Sequence, residues 1–263
     1  MIDPENLSMP KLSTDNRGDT PELAIGQAGV EPAGKVYETH THVRAQLFHI
    51  FSGSLRLETE QGCFVVPPER AIWVPSNVPH AVTYLQPTAL RYLFFRPDAV
   101  NDLPEETAVI TATPLLRELI QAFLGIPRSE AGSAPAERII HVLLDQLRSS
   151  PAIPLYLPMP RSPRLLDVAR QLRDDPGREM PVAVTAKQAA MSPRTFQRHF
   201  QDETGMTFRS WLRQAKLMKA VEWLATGQPV GDIAHSLGYS GPSAFIATFH
   251  EAFGTSPSRY FVG

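Results

Sequence analysis

Two groups of residues in this chain have types and spacings suited to chemistry. The first is Arg194, Gln197, Arg198 and Gln201 in PRTFQRHFQ. On a helix these spacings form one stripe, opposite Phe196 and Phe200, which face inward. Arginine pairs bidentately with guanine and glutamine with adenine, so such a stripe suits base edges in a DNA major groove. It equally suits an ordinary solvated helix face, and one helix alone leaves the two readings even. The second group is His40, His42 and His80 with Gln46. Strand residues two apart point to the same side, so His40 and His42 converge and His80 can join them from another strand. Three neutral imidazoles and an amide oxygen suit a divalent transition metal. The other reading is a set of histidines that line an effector pocket or are simply hydrogen-bonded, and a set with no carboxylate to offset the charge of a metal weakens the metal reading.

The elements that position the first group occur twice. AAMSPRTFQRHF, 189–200, returns as LGYSGPSAFIATF, 237–249, with Phe245 and Phe249 repeating the inward pair. Ser192 followed by Pro193 is an N-cap with proline at the first helical position, so each copy predicts a short helix-turn-helix unit. Between them Thr207 to Thr226 predicts a helix about 27 Å long, which would hold two reading helices about one DNA turn apart, on the order of 34 Å. The repetition moves the balance toward DNA reading, with Thr195 beside the reading residues. The second face carries Ser243, Ile246, Ala247 and His250 and no arginine, so it is suited to thymine methyls or DNA shape. The first unit is therefore expected to carry most of the specificity. Arg209, Arg213 and Lys216 on the joining helix can reach phosphates or be plain solvated cations.

The second group sits among short segments punctuated by Gly and Pro: 47–51, 54–58, 64–66, 71–74, 81–84 and 90–95, the pattern of a β-barrel or jelly roll. Aromatic residues are dense there, most of them core; a few, with Trp73 the candidate, can line a pocket for a small apolar or aromatic effector. Leu116, Leu119, Ile120 and Phe123 form one helical stripe, and Ile140, Leu143, Leu144 and Leu147 another. SSPAIPLYLPMPRS, 149–162, holds four prolines and predicts an extended connector that can also dock on one domain. The expected organisation is a polar tail over 1–20, a barrel over 21–100, linking or dimerisation helices over 101–148, the connector over 149–161, and a helical domain over 162–263.

The 263 residues carry a net charge of −2, yet residues 161–263 hold 13 Lys/Arg against 9 Asp/Glu, so the positive excess falls on the repeated motif. It is modest, and binding should lean on arranged contacts and a second subunit. A single cysteine, Cys63, excludes an intramolecular disulfide framework and is compatible with a reducing cytosol. Absence of a long apolar run or a signal pattern predicts a cytoplasmic protein with no membrane partner.

From Pro163 to Tyr260, on MSPRTFQRHFQDETGMTF and GYSGPSAFIATFHEAFGTSPSRY, the chain resembles the DNA-binding domain of AraC/XylS-type transcription regulators. The resemblance implies base contacts from the helix beginning at Pro193, with Arg194, Gln197 and Arg198 the readers, and a second reading helix at Pro242 presenting Ser243 and Ala247. It departs at Ala190, where glycine is usual, and at Thr185, where an aliphatic residue is usual. Gly34-x5-His40-x-His42-x3-Gln46-x6-Gly53 and Pro75-x-Asn77-x2-His80 resemble the two motifs of cupin barrels, with Asn77 where glycine is frequent. This implies a small jelly roll with its interior open at one end; the family further implies that one linking helix packs on the barrel and the other on a second subunit, while the stripes alone suit equally a pair that both cover their own barrel. The expected fold is thus an α+β chain of two domains, a cupin-like barrel and then an all-α domain with two helix-turn-helix units. The expected function is a homodimeric regulator that binds double-stranded promoter DNA, senses a small effector, needs no cofactor, and contacts RNA polymerase if it activates. The alternative is a metal-dependent cupin enzyme with an appended DNA-binding domain.

Overall fold

The computed structural model describes residues 20–178 and 180–261; of the expected tail only Thr20 lies within them. The chain forms two compact units. The first holds the chain up to Thr59 and Val66–Ile153, the second Glu60–Val65 and Pro154 onward.

In chain order the elements are β1 (Ala24–Glu31), β2 (Val36–His40), β3 (Ala45–Ser52), β4 (Leu55–Thr59), β5 (Gly62–Val66), β6 (Arg70–Val74), β7 (His80–Tyr84), β8 (Thr88–Phe95), β9 (Ala108–Thr111), α1 (Pro114–Leu124), α2 (Ala134–Ser149), β10 (Tyr156–Pro158), α3 (Pro163–Asp174), α4 (Val182–Gln188), α5 (Pro193–Thr204), α6 (Phe208–Ala225), α7 (Val230–Ser236) and α8 (Pro242–Phe253).

In the first unit one antiparallel sheet runs β1-β8-β3-β6-β9, and β4-β7-β2 pair antiparallel opposite it. Alternation sorts the strand residues. Leu47, Trp73, Leu93 and Phe95 face outward into a cluster with Leu116, Ile120, Ile140 and Leu143, whereas Gln46, Phe48 and Tyr92 face the barrel interior. The stripes of both α1 and α2 are buried in this one cluster, the arrangement that the stripe pattern left as open as the one the resemblance implies. Arg44, 2% exposed, ties down the segment before β1 by donating to the Thr20 and Glu22 carbonyls at 2.6 and 3.0 Å.

The second unit is built round Phe196, Phe200, Phe208, Trp211 and Met218, joined by Cys63 and Val65 of β5 and Leu157 of β10. Burying each of the larger side chains is worth roughly 1.5–3 kcal/mol. The proline-rich connector is thus extended, as expected, and docked. Its β10 pairs antiparallel with β5, Trp211 Nε1 donates to the Pro158 carbonyl at 2.6 Å, and Gln214 Nε2 donates to that of Pro154 at 2.6 Å. Among the described residues no helix is long and apolar enough to cross a membrane.

Candidate functional site

The two helix-turn-helix units, α4–α5 and α7–α8, each turn through a left-handed residue, Ala190 at φ 55° and Gly238 at φ 68°. α5 starts where Ser192 Oγ accepts the Thr195 N–H at 3.2 Å, with Pro193 in the first turn. Phe196 and Phe200 are fully buried, which rotates Arg194, Gln197, Arg198 and Gln201 into solvent. Thr195 is half-buried, and its hydroxyl lies 2.9 Å from Ser192 Oγ, occupied by the cap. In α8, Ser243, Ile246, Ala247 and His250 are exposed over buried Phe245 and Phe249. Of the α6 cations, Arg209 is exposed, Arg213 pairs with Glu251 at 3.0 Å, and Lys216 Nζ sits 5.4 Å from the Tyr239 ring centre.

Sequence reasoning missed Glu203, near the C-terminal end of α5. Its carboxylate accepts the N–H groups of Arg161 and Ser162 at 2.7 and 2.8 Å, fixing the chain where it enters α3. Burial alone would raise the Glu203 carboxyl, but these N–H donors hold it below its ordinary value. No local pattern pairs a glutamate with a backbone some forty residues away. Thr185, the other unusual residue, is buried and donates its hydroxyl to the Pro181 carbonyl at 3.3 Å.

The barrel encloses a cavity of about 240 Å³ lined by Tyr37, His40, His42, Gln46, Phe48 and Tyr84, among others. One ring nitrogen from each of His40, His42 and His80 lies within 4.8 Å of the others. His40 Nδ1 is 2.7 Å from the Glu38 carbonyl and His80 Nδ1 is 2.9 Å from that of Val78. A carbonyl only accepts, so each Nδ1 carries the proton, and in the neutral ring Nε2 keeps a lone pair. Burial lowers the His80 pKa to about 4, with His40 beside it acting in the same direction, so His80 is neutral at physiological pH. Among the described residues His80 Nε2 and Gln46 Oε1, both buried, have no hydrogen-bond partner. Asn77, at φ 60°, turns the loop before β7 so that its N–H reaches the His42 carbonyl at 2.8 Å; asparagine tolerates this conformation better than most residues.

Two family models match the chain, an AraC-like ligand binding domain over residues 29–155 and a helix-turn-helix domain over 185–262. The HTH-type transcriptional regulator NimR of Escherichia coli K12 is 32% identical over 221 residues, covering 84% of this chain and 81% of NimR. The chain belongs to the AraC family of transcriptional regulators. Regulatory protein SoxS of E. coli K12 is 36% identical over 80 residues, 30% of this chain and 75% of SoxS. Among solved structures, ToxT from Vibrio cholerae covers 91% of this chain and 98% of ToxT at 12% identity and a TM-score of 0.38. The regulator is a DNA-binding protein with an N-terminal ligand-binding domain, and the histidine-lined cavity lies in that domain. Trp73, expected near the histidines, is not with them: it faces the helices, and its Nε1 donates to the Pro104 carbonyl at 2.9 Å.

Proposed function

We propose that α5 supplies the main base contacts of the regulator through Arg194, Gln197 and Arg198, flanked by Gln201 and Thr195. α8 follows the groove through Ser243 and Ala247, and Arg209, with Arg213 and Lys216, meets phosphates. The observation that carries this reading is the single exposed face of α5, held outward by Phe196 and Phe200. The regulator acts in the cytoplasm as a homodimer on promoter DNA, touches RNA polymerase where it activates, and uses its barrel to sense an effector at His40, His42, Gln46 and His80, without catalysis. Selection of genomic fragments bound by the full-length protein at moderate salt tests it; absence of any preference over bulk competitor DNA, with and without candidate small molecules, would end the reading.

A second reading, favoured by the convergence of three imidazoles, is that the barrel holds a divalent metal. The residues fit one: His40 and His80 each have Nδ1 tied to a carbonyl, the arrangement that orients metal-binding histidines, and Gln46 offers an unpartnered oxygen. His40, His42, His80 and Gln46 would hold the ion, which when bound supplies a Lewis-acidic centre for an effector's donor atom. Elemental analysis of protein purified without chelator tests this, with His80→Ala as control. Metal-free protein whose response to effector is intact would remove the metal from the function.

A further inference from the structure

The hydrogen bonds around the cavity fix which kind of effector it can take, given the reading of that cavity as the sensor. Tyr37 Oη donates to Glu31 Oε1 at 2.7 Å and Tyr92 Oη to the same oxygen at 3.5 Å. Tyr84 Oη lies 3.2 Å from Tyr92 Oη. A phenol has one proton. Glu31, 5% exposed, is thus the acceptor at which the tyrosine hydroxyls gather, and Tyr84 and Tyr92 share one hydrogen bond between them. Tyr37, its proton spent on Glu31, offers the cavity only lone pairs. Gln46 Oε1, in the wall, is an unpartnered acceptor among the described residues, and so is His80 Nε2, whose ring stands 4.5 Å from that of the lining His40, on side chains 3% and 1% exposed. Among the described residues no lysine or arginine lines the cavity; Lys35 stands outside it, exposed, with Nζ 5.2 Å from the Tyr37 ring centre. Glu38 and Thr39 add a carboxylate and a hydroxyl to the wall, and the rest is apolar or aromatic, with the Phe48 and Tyr92 rings edge to face at 5.5 Å and those of Tyr37 and Tyr84 at 6.1 Å.

We propose that the effector is a compact aromatic molecule that presents N–H donors, as an amine, an amide or an organic cation, and that carboxylates are excluded. A donor group pairs the orphaned acceptors, and a cation gains in addition from the ring faces. A carboxylate would leave water to meet the Glu38 carboxylate in the wall and Glu31 behind the tyrosines, with no lysine or arginine among the described lining residues to replace its hydration.

Three near-isosteric probes separate the classes: benzamidine, benzamide and benzoate, each titrated into the full-length chain in EDTA and followed by calorimetry and thermal shift. Benzamidine is expected to bind at least tenfold tighter than benzoate, with benzamide between them. Tyr84→Phe should weaken benzamidine several-fold, and Glu31→Gln should shift the preference from benzamidine toward benzamide; either suffices if the other does not fold. Thr39→Trp, at an exposed position in the cavity wall, should abolish binding of every probe. Benzoate binding best, and lost in Thr39→Trp, overturns the ligand class while leaving the cavity as sensor. Probe binding that survives Thr39→Trp overturns both. No binding by any of the three overturns the proposal for molecules of this size.

Discussion

The two helix-turn-helix units share a backbone and differ in nearly everything that faces outward. Both turn through a left-handed residue, both bury a phenylalanine pair four residues apart, and both helices end on a left-handed glycine, Gly205 and Gly254. α5 opens with a side-chain cap and two arginines; α8 opens at Gly241 with no side-chain cap and presents Ile246 and Ala247. Burial sets the fold of a unit, and the opposite stripe, free of that constraint, sets what it reads. The same pattern can thus be kept for shape in one copy and for discrimination in the other.

The units also differ in how their surroundings hold them, and this gives the largest expected effect. Gly177, after α3, approaches the end of α7 so closely that an added Cβ would lie 1.8 Å from the Ser236 carbonyl oxygen. Gly177→Ala is expected to cost about 3 kcal/mol in urea unfolding, and footprinting should show the half-site under α8 lost before that under α5. Equal loss of both would mean that the units are not separately held. Next in size, Arg198→Ala should cost about 2 kcal/mol at the selected operator and little at random DNA, whereas Ile246→Ala should cost about 0.5 kcal/mol at the operator. A uniform loss for Arg198→Ala makes it a phosphate contact, and a larger loss for Ile246→Ala reverses the assignment of specificity. Smaller still, Ser192→Ala should remove about 1 kcal/mol of stability with its cap. Gly241→Ser, at an extended position with open space around it, should add a few tenths by thermal unfolding.

The helical units were legible in the sequence because their turns and inward phenylalanines are local. The barrel was legible in part. β3, β4 and β6 to β8 stand out by apolar content, but β1 carries two glycines and a buried Glu31, and β2 is largely exposed, so neither shows the alternation that marks a strand. Trp73 was misplaced because β6 is buried on both faces; with no polar face to orient it, the residues on either side of the sheet look alike. The stripes of α1 and α2 declared what they bury and not against what. Least legible was the partnership of β5 with β10 under α6. Three residue pairs join strands some ninety positions apart, and such contacts depend on the folded whole and leave no periodic trace.

The finest test of the comparison lies in the turns themselves. Ala190 holds a left-handed conformation that costs a side chain about 1 kcal/mol and glycine nothing, so Ala190→Gly should relieve strain, less the extra chain entropy glycine loses on folding. A net gain of about 0.5 kcal/mol is expected, read as a small rise in the urea midpoint. The mirror change, Gly238→Ala, should cost more than that gain, because besides the left-handed backbone its Cβ would stand 3.1 Å from the Gly177 carbonyl oxygen. If both exchanges shift stability equally and oppositely, backbone conformation alone governs the turns and the neighbouring loop adds nothing; an asymmetry toward Gly238 shows that the second turn is fixed by what packs on it, while the first stands by its own geometry.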